Sequence, residues 1–419
     1  MPSTLTSAAT LQRRTMVVLV ITQVIGTVAV GVAPSIGVLL AGEVTDNEAW
    51  AGLARTASTL GAALIGLPLG NLAARSGRRV ALAAGWWGAA VGGALLVAAA
   101  QWSLVGPLFV GLLLIGFGSA TALQARFAAT DLAAPQHEGR SLALVVWVGT
   151  LGSVLGPNLG VPGEVVSRAT GLTVFASAFL ITAICLALAG SLVYVFLRPD
   201  PLLVLEESVG AHRVSQSSKR AGRIRLVLTE LRTNGYARYA LIAIVTAQTV
   251  MVSVMTMTPV HVAHQGGSLT IIGVTISLHI AGMYGLSPVV GIAADRYGHR
   301  RTIAAGILIF FASLLIGAVI PNDTGWIMAS LILLGLGWSC VNVSGSALFA
   351  AVVSDATRAS SQGGVDALAN LCGATAAFAA GPLLAVSSFT VLNILAFIVL
   401  LPITILTVTI GRITIAARR

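Results

Sequence analysis

The sequence predicts an all-α membrane protein: twelve transmembrane helices in two pseudo-symmetric six-helix bundles. Three observations carry this prediction. Of 419 residues, 56% are hydrophobic and 9% are charged, where a soluble domain carries about 25% charged residues. The mean hydropathy of +0.94 leaves too little polar surface to face water. Apolar runs of membrane-crossing length recur along the whole chain, and the second half repeats landmarks of the first.

Each run supplies the roughly 20 apolar residues needed to cross a hydrocarbon core of about 30 Å. Arg13 and Arg14 precede the first, 16–40, and no small-residue cleavage site follows, so it reads as an uncleaved span behind a cytoplasmic tail, 1–15. Runs 50–73 and 80–101 flank a turn holding Arg75, Arg78 and Arg79, and 104–128 ends near Gln124 and Arg126. Runs 140–162 and 169–196 complete an N-terminal bundle, 16–197. The basic cytoplasmic linker 198–236 follows; its stretch 216–232 fits either an interfacial helix or a solvated charged linker. Runs 237–261, 270–293, 302–320, 324–352, 363–385 and 388–411 form the C-terminal bundle, 237–411, before a cytoplasmic tail, 412–419.

Basic residues gather on one side of this layout, while Glu43, Asp46, Glu48, Glu164 and Asp323 fall on the other. The positive-inside bias therefore places both termini in the cytoplasm. The 24 Lys and Arg read as topology signals rather than a nucleic-acid surface, so no nucleic-acid partner is expected despite a pI near 10.7. Cys185, Cys340 and Cys372 lie inside apolar runs without metal-ligand spacing and read as packing residues. The sequence implies neither a cofactor nor a metal site. Its richness in alanine, glycine, valine and arginine suggests a bacterial inner-membrane protein.

The duplication is read from residues at nearly constant offset. Gly70-Asn-Leu-Ala-Ala-Arg75-Ser-Gly77-Arg78-Arg79 returns as Gly291-Ile-Ala-Ala-Asp295-Arg296-Tyr-Gly298-His-Arg300-Arg301, with Gly291 standing 221 positions after Gly70. Gly116-Phe-Gly118 returns as Gly335-Leu-Gly337, 219 positions on, and Gly156-Pro157 as Gly381-Pro382, 225 positions on. The Gly-x-x-x-Asp-Arg-x-Gly-x-Arg-Arg pattern resembles the signature cytoplasmic turn of the major facilitator superfamily. That resemblance implies a transporter whose arginine turns latch in one gating state, pairing Arg75 with Asp131 and Arg296 with Asp355. Ala74 departs from the pattern, standing where the family usually has aspartate. Gly152-x-x-x-Gly156-Pro157-x-x-Gly160 is similar to the family's antiporter motif, which implies export, especially of drugs against protons. Leu112 departs again, replacing the arginine usual in such antiporters.

Ionisable and polar residues inside spans are costly and so mark functional candidates. Arg55 fits an anionic substrate, a partner for the outer carboxylates, or a headgroup anchor. Arg126 fits a cavity residue, a partner of Asp366, or an anchor. His279 and Asp366 are the candidate proton carriers, His279 because imidazole titrates near neutral pH, each set against a structural role. Met251 and Met255 offer an adaptable apolar wall or core filler. Gln23, Gln124, Trp147, Asn158, Gln248, Asn342 and Asn370 complete the candidate cavity lining.

The expected function is secondary transport of a small, hydrophobic or amphipathic organic compound by alternating access, as an exporter coupled to protons. Import or facilitated passage of a small, anionic metabolite is the alternative, and a non-transporting sensor of the same fold a further one. No nucleophile, base or metal constellation at membrane depth suggests an enzyme. The expected partners are substrate, membrane lipid and protons, and the expected state is a monomer.

Overall fold

A computed structural model describes residues 2–47, 49–134, 137–209, 234–353 and 358–410. Among the described residues it is helical without strands. Glu48, Asp355, the stretch 216–232 and the tail 412–419 lie outside them.

Helix α1 (Pro2–Val30) already begins within the segment read as a tail. It continues through a π turn (Ala33–Gly37) into α2 (Val38–Thr45). Helix α3 (Ala49–Trp102) is 54 residues long, but Gly77 adopts φ 86° and ψ 168° and divides it into arms 49–76 and 78–102. Then come α4 (Val105–Ala128), α5 (Glu138–Leu155), a 3₁₀ turn (Gly156–Leu159), α6 (Gly160–Thr170), α7 (Val174–Phe196) and the short α8 (Pro201–Val209). The second half holds α9 (Gly235–His264), α10 (Leu269–Tyr284), α11 (Ser287–Tyr297), α12 (His299–Val319), α13 (Thr324–Val352), α14 (Arg358–Val386) and α15 (Phe389–Thr409). Among the described residues, eleven stretches are long and apolar enough to cross a membrane. The arm 49–76, whose polar content includes Arg55, Ser58 and Thr59, brings the crossings to twelve.

Lipid offers no partner to a bare N–H or C=O, so each span must satisfy its backbone internally. Span hydroxyls do the same: Thr22, Thr182 and Thr256 each donate to the carbonyl four residues earlier. This leaves few free polar groups to face hydrocarbon.

The chain forms two compact units, Met1–Val214 with Gly267–Ser277, and Ser215–Gly266 with Leu278–Arg419. The first half of α10 thus groups with the first unit. There Asn158 Nδ2 donates to Ser277 Oγ at 2.7 Å, and Ser277 Oγ donates to the Val154 carbonyl at 2.5 Å.

Within each unit, helices meet at glycines. A Cβ on Gly61 would overlap the Leu113 carbonyl, and one on Gly116 the Ser58 carbonyl, so α3 and α4 touch backbone to backbone. In the second unit a Cβ on Gly282 would overlap the Ile332 carbonyl, and one on Gly335 the His279 carbonyl. Gly282 and His279 stand 221 positions after Gly61 and Ser58; Ile332 and Gly335 stand 219 after Leu113 and Gly116. The duplication read from the sequence is therefore also a duplication of contacts. In the first unit the crossings enclose Trp86, 1% exposed, whose ring fills the notch left by Gly26 and touches Gly118, where Val30 takes the space.

Adding one Cβ at a crossing forces the backbones apart. Gly61→Ala and Gly282→Ala are each expected to destabilise the detergent-solubilised protein by about 1–3 kcal/mol, seen as a lower melting temperature. Gly42→Ala, whose Cβ would meet nothing within 4 Å, is expected to leave it unchanged or slightly raised.

Candidate functional site

Two sets of residues answer to the candidates: the arginine turns at one end of each unit, and polar or aromatic side chains along the spans.

In the first unit the turn is organised by Gly77. Its positive φ is a conformation that side chains disfavour, and a Cβ there would strike the Asp200 carboxylate. The break redirects Arg78. Its guanidinium donates twice to Asp131, Nε to Oδ2 at 2.7 Å and Nη2 to Oδ1 at 3.2 Å, the forked geometry that suits a carboxylate. The side chains are only 15% and 10% exposed, and Arg78 also lies 5.9 Å from the Phe127 ring. The sequence pointed to Arg75 as the partner of Asp131; the structure places Arg75 exposed on the last turn before the break and gives the pairing to Arg78.

Asp200, which sequence reasoning passed over, is the second carboxylate of this end. It is 8% exposed. One oxygen accepts from the Arg79 backbone N–H at 2.7 Å, at the start of the arm 78–102. The other accepts from Leu202 N–H at 3.0 Å and Leu203 N–H at 3.4 Å, at the start of α8. A single carboxylate thus caps two helix N-termini, where the helix dipoles favour negative charge. Arg79 and Arg198 both lie over the Tyr194 ring, at 5.0 Å and 5.7 Å. The signal was available: aspartate directly before a proline at the first helical position reads as a cap.

The second copy keeps the backbone and changes the contacts. Gly298, with φ 91° and ψ 142°, separates α11 from α12 as Gly77 divides α3. Arg300 Nε donates to the Thr407 carbonyl at 2.9 Å, and Arg296 lies 5.6 Å from the Tyr297 ring. Asp295 and Arg301 are exposed. The pairing of Arg296 with Asp355 falls on a residue outside the described set. Gly70 and Gly291 both lie inside helix near their turns.

The antiporter-like segment is a contact surface. A Cβ on Gly156 would meet Gly31 and the Val28 carbonyl, and one on Gly152 the Thr27 hydroxyl of α1. Pro157 lies in the 3₁₀ turn, and Gly160 packs on Leu269. Both helices depart from α geometry near this crossing, α1 into its π turn and α5 into its 3₁₀ turn.

Along the first unit's spans, Gln23 is buried against Gly149 and donates to the Ala122 carbonyl at 3.3 Å. Gln124 donates to the Gly66 carbonyl at 3.4 Å, and Arg126 Nε to the Leu123 carbonyl at 3.3 Å. Arg55 is half-buried, and Trp147 is 58% exposed. In the second unit Trp338 Nε1 donates to Gln248 Oε1 at 2.9 Å, and Tyr284 meets the same indole edge-on at 5.7 Å. This amide and aromatic cluster joins α9, α10 and α13; Trp338 and Tyr284 were not among the sequence candidates. Met251 and Met255 are buried, and Asn342 is half-buried. Asp366 and Asn370 are exposed on α14, with Asn370 Nδ2 donating to the Asp366 carbonyl at 2.9 Å. His279 is fully buried, its Nδ1 donating to the Leu331 carbonyl of α13 at 2.8 Å. That bond ties two helices beside the Gly335 crossing.

A family model described as Major Facilitator Superfamily matches residues 15–283 and 262–415. Two Bacillus subtilis proteins, the uncharacterized MFS-type transporters YddS and YdeG, are 34% and 35% identical to this chain. Each match covers 92% of this chain, with 88% of YddS and 89% of YdeG. The riboflavin transporter RfnT of Brucella anthropi is 28% identical, over 93% of this chain and 94% of its own. Among solved structures, a bacterial homologue of the human lysosomal transporter Spinster, inward-facing and unoccupied, matches with a TM-score of 0.73 at 12% identity, covering 96% of this chain and 97% of its own. The nucleoside transporter NupG matches with a TM-score of 0.71 at 15% identity, covering 96% of this chain and all of its own (100%). At these identities the likeness concerns the fold alone.

The paired geometry predicts a specific energetic coupling. A double-mutant cycle with Arg78→Ala and Asp131→Ala, read by thermal unfolding, is expected to give about 1–3 kcal/mol. The same cycle with Arg75→Ala is expected to give under about 0.5 kcal/mol. Asp200→Ala, which uncaps two helices, is expected to cost about 1–2 kcal/mol on its own.

Proposed function

The chain belongs to the major facilitator superfamily and is a multi-pass membrane transporter, and on that premise we propose that it carries a small, amphipathic organic compound across a bacterial inner membrane by alternating access. The observation that carries the substrate class is the cluster of Gln248, Trp338 and Tyr284. An indole and a phenol present broad apolar faces, while the amide and the phenolic hydroxyl give directional hydrogen bonds. Such a pairing suits a ring-bearing compound with polar edges better than a sugar or a simple ion. Half-buried Asn342 on α13 and Asn158 in the first unit supply further amides along the spans.

For direction we propose export in exchange for protons, with both termini cytoplasmic. The support is the Gly152, Gly156, Pro157 and Gly160 segment, whose likeness is to antiporters, and the basic ends of both units. Asp366, a carboxylate within α14, is the proton carrier we propose. His279 we assign to helix packing, because its ring nitrogen holds the Leu331 carbonyl. A second reading, favoured by the similarity to RfnT and by the same aromatic cluster, is passage of a flat, hydroxylated heterocycle of the riboflavin kind.

Counterflow in proteoliposomes tests both. Vesicles preloaded with a lipophilic dye or with riboflavin are diluted into labelled compound, and saturable accumulation identifies the cargo. Trp338→Ala is expected to raise KM about tenfold, the loss of a ring contact near 1.4 kcal/mol. Asp366→Asn is expected to abolish acceleration by a pH gradient while leaving counterflow intact. Saturable counterflow of neither compound class, or a Trp338→Ala variant with unchanged KM, would overturn the assignment.

A further inference from the structure

The first unit carries a concave groove of about 560 Å³ between the middle turns of α1, from Thr10 to Thr22, and the last turns of α7, within the size range of pockets that bury organic ligands. It belongs to neither set of site residues described above. One end is formed by Arg13 and Arg14, and its walls by Val17 and Ile21 of α1 with Leu192 and Phe196 of α7. Val17, Ile21 and Phe196 are 53%, 47% and 49% exposed, so the apolar walls are open rather than closed by other helices. The deep end includes Thr22, but its hydroxyl donates to the Val18 carbonyl at 2.8 Å and offers the groove no free donor. Among the described residues, neither guanidinium is held by a carboxylate.

We propose that this groove seats one anionic phospholipid, its phosphate held by Arg13 and Arg14 and one acyl chain lying along Val17, Ile21, Leu192 and Phe196. The charge is matched: two adjacent guanidiniums present forked donors suited to phosphate oxygens, and guanidinium is less strongly hydrated than ammonium. The depth is matched as well. From Arg14 to Thr22 is eight residues of helix, about 12 Å, close to one leaflet's share of a hydrocarbon core of about 30 Å. A polar cargo fits poorly, since below the arginines the lining has no unsatisfied hydrogen-bonding group, whereas a lipid places its only charge where the charge is.

Native mass spectrometry of the full-length protein reads this directly, with dioleoylphosphatidylglycerol and dioleoylphosphatidylcholine added in equal amounts. One phosphatidylglycerol adduct is expected to survive at collision energies that strip phosphatidylcholine, with a preference of at least about tenfold, the value of one good charged contact near 1.4 kcal/mol. The Arg13→Gln/Arg14→Gln variant is expected to lose that preference, and Arg140→Gln, an exposed arginine elsewhere, to keep it. Val17→Trp/Ile21→Trp fills the lipid-facing groove without touching its charge or the unit's interior, and is expected to lose the adduct. Equal retention of the two lipids by the wild type would overturn the proposal. So would retention by the filled-groove variant at the wild-type level, or a loss of preference in Arg140→Gln as large as in the paired variant.

Discussion

Backbone resting on backbone is the constraint from which the rest of this structure follows. In lipid, helices gain nothing from withdrawing apolar side chains from water, so association depends on how closely two helices approach. Gly61 against Leu113 and Gly116 against Ser58 bring α3 and α4 into direct contact, and Gly282 with Gly335 does the same for α10 and α13. Gly85 and Gly306 extend the pattern, the first receiving Thr121 and the second Cys340. Once these crossings are set, the rotation of each helix is set, and with it which side chains turn inward. His279 is the clearest case: its carbonyl is the surface that Gly335 meets, and its ring closes the same crossing from the other side.

The arginine-bearing end of the first unit depends on a different kind of constraint. Two helices begin there, the arm 78–102 and α8, and both expose N–H groups with the positive end of a helix dipole. Asp200 satisfies donors on both, while Asp131 satisfies Arg78. Two carboxylates, 8% and 10% exposed, hold a turn otherwise dominated by positive charge. The second copy reaches the same backbone bend at Gly298 with a carbonyl, that of Thr407, as the acceptor for its arginine. The halves share geometry and differ in electrostatics.

Much of this was legible before any coordinates. Spans announce themselves because a bilayer demands about 20 apolar residues whatever the sequence around them, and the duplication shows because glycines at the crossings leave no room for a Cβ. The partner of Asp131 was not legible, since Arg75 and Arg78 lie within one helical turn of each other and only the break at Gly77 decides which swings towards the carboxylate. Asp200 was missed although its aspartate-proline pair spelled a cap, because the surrounding linker read as merely basic. Trp338 and Tyr284 escaped for another reason: the sequence does not show which of the aromatic residues within spans stands beside a polar partner such as Gln248. His279 was seen, but its position in the bilayer could not reveal that the Leu331 carbonyl of α13 occupies it.

The contrast between Gly77 and Gly298 has an evolutionary side. At Gly298 a Cβ would meet nothing within 4 Å, so a substitution there faces only the strain of a positive φ, about 1–2 kcal/mol. At Gly77 the same step also evicts Asp200 from its seat, and with it the caps of two helices. One duplicated turn is therefore free to drift by single mutations, while the other can change only if the carboxylate across from it changes first. Unequal mutational freedom of this kind lets two halves that began identical come to do different work.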